Sequence, residues 1–190
     1  MQNNFEQDVS ECFKVLTKGG LILYPTDTIW GIGCDPTNAS SAQRIFDLKK
    51  RSDKKSMIIL VADEREILRY VANADLRIFD YLNQTNRPTT VIYEGAIGLA
   101  ENLVNEDGTI AIRICKDTFC RHLIKRFQKP IVSTSANISG QSFSGNFSAI
   151  ADEIKNGVDY IVKYRQDDAV PAAPSSIIKW KNDGQVQVLR

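Results

Sequence analysis

Lys49, Lys50, Arg51, Lys54 and Lys55 place five cations in the seven positions 49–55. Complementarity to a helix C-terminus, worth ~0.3–1 kcal/mol per surface charge, accounts for one or two of them. A cluster this dense invites a polyanion such as a triphosphate or an RNA backbone, with arginine as a planar fork and lysine as a point charge. A second concentration of chemistry is Ser133-Thr134-Ser135-Ala136-Asn137-Ile138-Ser139-Gly140. Because it follows a short apolar strand and leads into a helical pattern, it reads as an ordered loop whose hydroxyls and amides surround a ligand rather than as a linker. In Thr109-Ile110-Ala111-Ile112-Arg113, alternation puts the isoleucines on one face and Arg113 on the other. An arginine in mid-sheet requires an anion, either a protein carboxylate or a substrate's. Finally, Pro25-Thr26-Asp27-Thr28, ahead of Trp30-Gly31-Ile32-Gly33, sets hydroxyls and a carboxylate at the C-terminal end of a strand, where open α/β sheets bind ligands. The same residues read equally well as a turn in which Asp27 makes an Asx contact.

The inventory also excludes chemistry. GIGCDP is not a dinucleotide fingerprint, and no GxxxxGK[ST] phosphate loop occurs. Cys12, Cys34, Cys115 and Cys120 contain no CxxC pair and read as buried, reduced thiols, and His122 is the single imidazole, so a zinc site is not expected. His122 falls within a helical pattern, which speaks against a Ser-His-Asp or Cys-His device. The 190 residues carry 24 Lys plus Arg against 23 Asp plus Glu, a net charge of +1, with 43% hydrophobic and 25% charged residues. That balance fits one globular domain over 1–190 and excludes a globally basic nucleic-acid coat. No apolar run reaches the ~18 residues of a membrane span, and the start is not a secretion signal, so a cytoplasmic protein with no membrane partner is expected.

Periodicity supplies the elements that position these groups. Phe5, Val9, Cys12, Phe13 and Leu16 share one face of a first helix, stopped by Gly19-Gly20 before a strand over Leu21–Tyr24. Ser40 or Ser41 is expected to cap a helix carrying Ala42, Ile45, Phe46 and Leu48, ahead of a strand over Met57–Val61. Further strands are expected over 89–93, 109–114, 130–133, 160–163, 176–180 and 185–189, and helices over 64–72, 75–84, 118–128 and 147–156. Continuous apolar runs such as Met57–Val61 indicate strands covered on both faces, hence a mixed sheet flanked by helices, an α/β fold.

PTDTIWGIG, the KKR…K stretch, TIAIR, STSANISG and PSSIIKW…VLR resemble, in order and approximate spacing, the YrdC-type threonylcarbamoyl-adenylate synthases, in a single-domain YrdC/YciO-like form spanning Gly20 to Arg190. The resemblance implies a YrdC/RibB-like twisted mixed β-sheet flanked by helices, with a concave ligand cavity. It implies conversion of L-threonine, bicarbonate and ATP to threonylcarbamoyl-adenylate and pyrophosphate, a nucleotidyltransferase reaction serving threonylcarbamoyladenosine modification of tRNA. ATP is then a co-substrate accompanied by Mg²⁺. Contact with tRNA or double-stranded RNA, and downstream tRNA threonylcarbamoyl-transfer proteins, are the implied partners.

Carried over by motif, Lys49 and Arg51 bind the triphosphate, and Lys55, Thr109 and Arg190 make further nucleotide contacts. Ser133, Ser135 and Asn137 hold nucleotide, phosphate and metal; Lys49, Arg51, Ser135 and Asn137 form the catalytic set. Thr26, Arg113 and Ser175 position threonine, with Arg113 on its carboxylate. Departures from the pattern are Leu60 where some members carry histidine, Ser52 for a usual proline, Phe143 near a usual serine, and no glycines across Gln166–Pro174. A paralogous branch lacks the KxR and SxN motifs; this sequence keeps both. The alternatives are an RNA-binding protein of the same fold and a paralogue acting on another small acid or nucleotide. On the synthase reading, Lys49 and Arg51 lie on a solvated helix end, and the hydroxyl loop is ordered by ligand.

Overall fold

The computed structural model describes residues 5–51, 57–168, 173–180 and 185–190. Lys54 and Lys55 of the basic cluster therefore lie outside the described residues, as does Ser52. Helix α1 (Glu6–Thr17) buries Val9, Cys12 and Leu16, the stripe its periodicity calls for. It is followed by β1 (Ile22–Tyr24), β2 (Gly31–Gly33), α2 (Ala39–Leu48), β3 (Ile58–Val61), α3 (Glu64–Ile67) and α4 (Arg77–Gln84). The second half runs β4 (Thr89–Tyr93), β5 (Ile110–Ile114), α5 (Thr118–Phe127), β6 (Ile131–Ser135), α6 (Asp152–Asn156), β7 (Tyr160–Ile161), β8 (Ser176–Trp180) and β9 (Val186–Val188).

The strands form one mixed sheet in the order β7-β1-β2-β6-β3-β5-β4-β8-β9. Its register explains where chemistry can sit. Ser133, Ile58, Ala111 and Ile92 make one cross-strand row, and Ile131, Leu60, Arg113, Thr90 and Ile177 make the next. Strand alternation puts both rows on one face of the sheet. On the opposite face Ile59, Val132, Ile112, Val91 and Ile178 are fully buried in the core with Phe119, Leu123 and Ile124 of α5. One face of the central strands is thus committed to packing, and the other is available for a site. Among the described residues no helix is long and apolar enough to cross a membrane.

Several elements differ from the sequence expectation. β2 is a strand, where only a turn was expected. Gly33 is required because the Tyr24 ring lies across it: a Cβ there would meet Tyr24 Cε1 at 2.7 Å and the Val132 carbonyl at 2.8 Å. The cap of α2 is Asn38, whose side chain accepts from the Ser41 amide at 3.1 Å, rather than Ser40 or Ser41. The helix expected over 64–72 stops at Ile67 because the next residues are recruited elsewhere, with the Ala72 amide donating to the Gly95 carbonyl at 2.8 Å. The helix expected over 147–156 is split by Ala151, whose extended backbone separates a 3-10 turn at Phe147–Ala149 from α6. The four cysteines are free and buried.

Candidate functional site

The available sheet face floors a cavity of about 370 Å³, within the range of small-ligand sites. One rim is β2 and the end of β6, with Gly31, Ser133, Thr134, Ser135 and Asn137; the other is β4 and β8, with Ile92, Ser175, Ile177 and Arg190. Arg51, Arg113 and Arg190 all line it, so three guanidiniums border one cavity of mixed polar and apolar lining.

Arg51 lies three residues past α2 and donates to Thr134 Oγ1 at 3.1 Å. That contact ties the basic segment directly to the hydroxyl strand. The neighbouring Lys49 departs from expectation. It is not on a solvated helix end but 2% exposed, and it does not line the cavity. Its Nζ donates to the carbonyls of Ser135 and Asn137, the latter at 2.6 Å, and its own carbonyl accepts from the Ser139 amide at 2.9 Å. Lys49 is thus a bolt under the loop rather than a free phosphate ligand. Burial, and secondarily the Arg51 charge, push its amine down to about 7.

The hydroxyl segment is also not the loop expected. Ser133, Thr134 and Ser135 belong to β6, and no helix follows directly. Asn137 lines the cavity but spends its amide on the turn, donating to the carbonyls of Ile138 at 3.1 Å and Gln141 at 2.7 Å. This turn is built by Lys49 and Asn137 and does not wait for ligand. Ser135 lines the cavity, and its side chain enters no hydrogen bond among the described residues. Asn137→Ala is therefore expected to lower the unfolding free energy, whereas Ser135→Ala is expected to leave it within about 0.5 kcal/mol of wild type, as for a change that breaks no packing or hydrogen bond. Equal losses in the two variants would contradict this division.

Arg113 is 3% exposed, and its Nη2 lies 3.0 Å from Asp27 Oδ1. Of the two anions open to it from sequence, the protein carboxylate is present. Asp27 Oδ2 also accepts from the Lys116 amide at 3.2 Å, so the Asp27 carboxylate is held from two sides. Ser175 lines the cavity, with its hydroxyl 2.8 Å from Thr90 Oγ1. Arg190 grips the Ser175 carbonyl through Nε at 3.3 Å and Nη2 at 3.1 Å, which clamps that segment to the chain end.

Besides Lys49, two further expected ligands do not reach the cavity. Thr26 is 2% exposed, and its hydroxyl is committed to the Ile29 carbonyl at 2.8 Å, the Thr28 amide at 3.0 Å and the Thr28 hydroxyl at 2.9 Å. The residue it presents is Thr28, which lines the wall; two threonines flanking Asp27 were the available signal. Thr109 is buried, donating to Asp107 Oδ1 at 2.6 Å and accepting from Asn105 Nδ2 at 2.8 Å. It shapes the turn before β5 rather than the cavity. Leu60 stands directly beside Arg113 in the sheet register. His122, on α5, meets the Thr118 carbonyl at 2.8 Å and lies outside the cavity lining.

Comparison with known proteins follows the same lines. The Sua5_yciO_yrdC family model, described as telomere recombination, matches residues 14–190. The chain is 31% identical over 179 residues to a threonylcarbamoyl-AMP synthase of Idiomarina loihiensis, covering 93% of this chain and 95% of that protein. It is 28% identical over 160 residues to one of Pseudoalteromonas translucida, covering 83% and 86%. Among solved structures, P. abyssi Sua5 complexed with L-threonine superposes with a TM-score of 0.85 at 19% identity, covering 97% of this chain and 54% of that one. E. coli YciO superposes at 0.82 with 24% identity, covering 99% and 90%. At these identities the structural likenesses concern the fold.

Proposed function

The chain belongs to the Sua5/YciO/YrdC family, and from that membership and its cavity we propose that it is an L-threonylcarbamoyl-adenylate synthase, a nucleotidyltransferase acting on L-threonine, bicarbonate and ATP. The observation that carries the reading is the placement of Arg51 and Arg113 in one cavity between hydroxyl-bearing rims. A nucleotide and an amino acid need separate anion anchors, and three arginines, Arg51, Arg113 and Arg190, line the cavity. Arg51, Ser133 and Ser135 on the β6 rim suit phosphate oxygens; Arg113, Thr28 and Ser175 suit the carboxylate and hydroxyl of threonine. Arg190 on the β8 rim reaches the nucleotide as a further contact, and Lys49 acts by holding the β6 turn in place.

The reaction balances without a side-chain nucleophile. The threonine amine attacks bicarbonate to give a carbamate and water, and a carbamate oxygen attacks the α-phosphorus in line. The bond to the bridging oxygen then breaks and pyrophosphate leaves. Arg51 is placed to offset charge developing on that leaving group, a positioning and electrostatic contribution. The amine proton passes to water or a phosphate oxygen. Mg²⁺ accompanying ATP would be held by the nucleotide's phosphates with water and the hydroxyls of Ser133 and Ser135, where it would offset phosphate charge; the described residues contain no group of three His, Cys, Asp or Glu that would form a dedicated cage. A cytoplasmic setting, in which ATP and tRNA meet, follows from this reading, as does delivery of the product to tRNA-modifying partners.

The test is pyrophosphate release that requires threonine, bicarbonate and ATP together. Release indifferent to bicarbonate, or to the amino acid, would overturn the assignment. In the same assay Arg51→Ala should weaken ATP by about 1.5–3 kcal/mol, the value of a charge-assisted hydrogen bond. Arg51→Lys should also be impaired, since an ammonium cannot span both Thr134 and a phosphate as a planar fork does. Near-normal ATP affinity in both folded variants would remove Arg51 from the site.

A further inference from the structure

Asp27 has no role in the reaction described above, yet it is the carboxylate closest to the group that anchors the substrate. The Arg113–Asp27 pair is buried, at 3% and 11% side-chain exposure, and no other ion pair among the described residues has both partners so enclosed. It is also incomplete as a hydrogen-bonded unit. Asp27 Oδ1 and Arg113 Nε are both buried without a hydrogen-bond partner, although the charges stand 3.0 Å apart. A pair kept only for stability would close these valences, since breaking or half-satisfying a buried pair is costly. Here Arg113 lines the cavity while its enclosed Nε stays without a partner.

The charge count matters more than the geometry. With Asp27 in contact, the Arg113 region carries a net charge of zero rather than +1. Arg113 lines the cavity and Asp27 stands behind it, so a bare carboxylate entering there gains from Arg113 and loses part of that gain to Asp27, in a low-dielectric pocket where both effects are strong. An α-amino acid differs because its ammonium sits one carbon from its carboxylate. Its second charge answers Asp27 while its first answers Arg113. We propose that Asp27, acting through the buried pair it forms with Arg113, is a specificity-determining residue that makes the site select an amino-acid zwitterion over a hydroxy acid of the same shape. This deepens, and rests on, the threonine reading.

The discriminating ligand is 3-hydroxybutyrate, which keeps threonine's carboxylate, hydroxyl and methyl group and lacks its amine. Binding to the full-length protein in the presence of ATP is measured by calorimetry for both ligands, in wild type and in Asp27→Asn. Wild type is expected to favour threonine by at least about 10-fold, each factor of ten being 1.4 kcal/mol. Asp27→Asn is expected to bind 3-hydroxybutyrate as tightly as wild type or more tightly and threonine more weakly, with ATP affinity unchanged. A structural role cannot produce such opposed shifts. Equal weakening of both ligands, or an unaltered ratio, overturns the role of Asp27 while leaving the threonine assignment standing. Absence of threonine binding to wild type, with ATP bound normally, overturns both. Should Asp27→Asn fail to fold, the wild-type ratio alone decides: 3-hydroxybutyrate within twofold of threonine is incompatible with a neutralised Arg113.

Discussion

Valine is expected to support pyrophosphate release more slowly than threonine by a factor approaching ~10⁴, the penalty of leaving buried hydrogen-bonding groups unpaired. The physical basis is the wall around Arg113. Ser175 is 3% exposed and holds Thr90 at 2.8 Å, so its remaining hydroxyl valence has no water to fall back on once the cavity fills. Thr28 on the facing wall is 7% exposed. Valine matches threonine in shape and leaves both unanswered. Serine keeps the hydroxyl and loses only a methyl contact, so it should fall short by roughly 10-fold. Arg113→Ala should depress all three amino acids together, because the carboxylate contact is common to them. It should also cost about 3–5 kcal/mol of stability, since Asp27 is left buried and unpaired. Rates are therefore to be compared per folded molecule. Equal rates for threonine and valine would sink the threonine assignment even with ATP binding intact, and would bring forward a paralogue acting on another small acid.

Lys49→Met is expected to lose stability and activity together, unlike a substitution of a free phosphate ligand. Methionine fills the buried volume but leaves the carbonyls of Ser135 and Asn137 without a donor, at ~1–3 kcal/mol for each buried acceptor. The turn beneath β6 then relaxes, and Ser135 moves with it. The wild-type pH dependence provides a second signature. The amine titrates near 7 in the native protein and at its ordinary 10.5 when unfolded. Across that window the unfolded chain binds more protons, so Lys49's contribution to stability is least below about 7 and rises as the pH climbs toward 10.5. A neutral amine still has two hydrogens, one for each carbonyl. Urea unfolding of wild type and Lys49→Met at pH 7 and 9.5 isolates the effect: the gap between them should widen at the higher pH. A constant or narrowing gap would mean that the ammonium, not the amine, is the native form throughout.

How much of this could be read in advance varies with the range of the interaction. The strand Thr89–Tyr93, the apolar face of α1, the helix α5 and the motifs of the family resemblance were all legible, because each is carried by residues near one another in sequence. β2 was hidden because glycine disfavours strands intrinsically, and the reason for Gly33 is the ring of Tyr24, which only the antiparallel pairing of β1 and β2 brings across it. Lys49 looked solvated because a lysine at a helix end usually is. Its burial depends on carbonyls 86 and 88 residues away. Thr26 and Thr28 are alike in type and two positions apart, and alternation alone could not say which faced the cavity. Asp27 was legible as a turn residue, but in place of the Asx contact its carboxylate accepts from the Lys116 amide, 89 residues away, and stands beside Arg113.

The strand order also constrains how the chain comes together in time. β1 and β2 lie between β7 and β6, so the N-terminal strands have only each other to pair with until residues 131–161 have emerged. A two-stranded ribbon of three-residue strands is not stable by itself. Nucleation therefore falls to β3, β5 and β4, whose pairing spans less chain, and β1 and β2 are among the last secured. Closing contacts across more than a hundred residues is slow. Refolding should accordingly be limited by docking of β1 and β2, with the β6 rim completed only at that step.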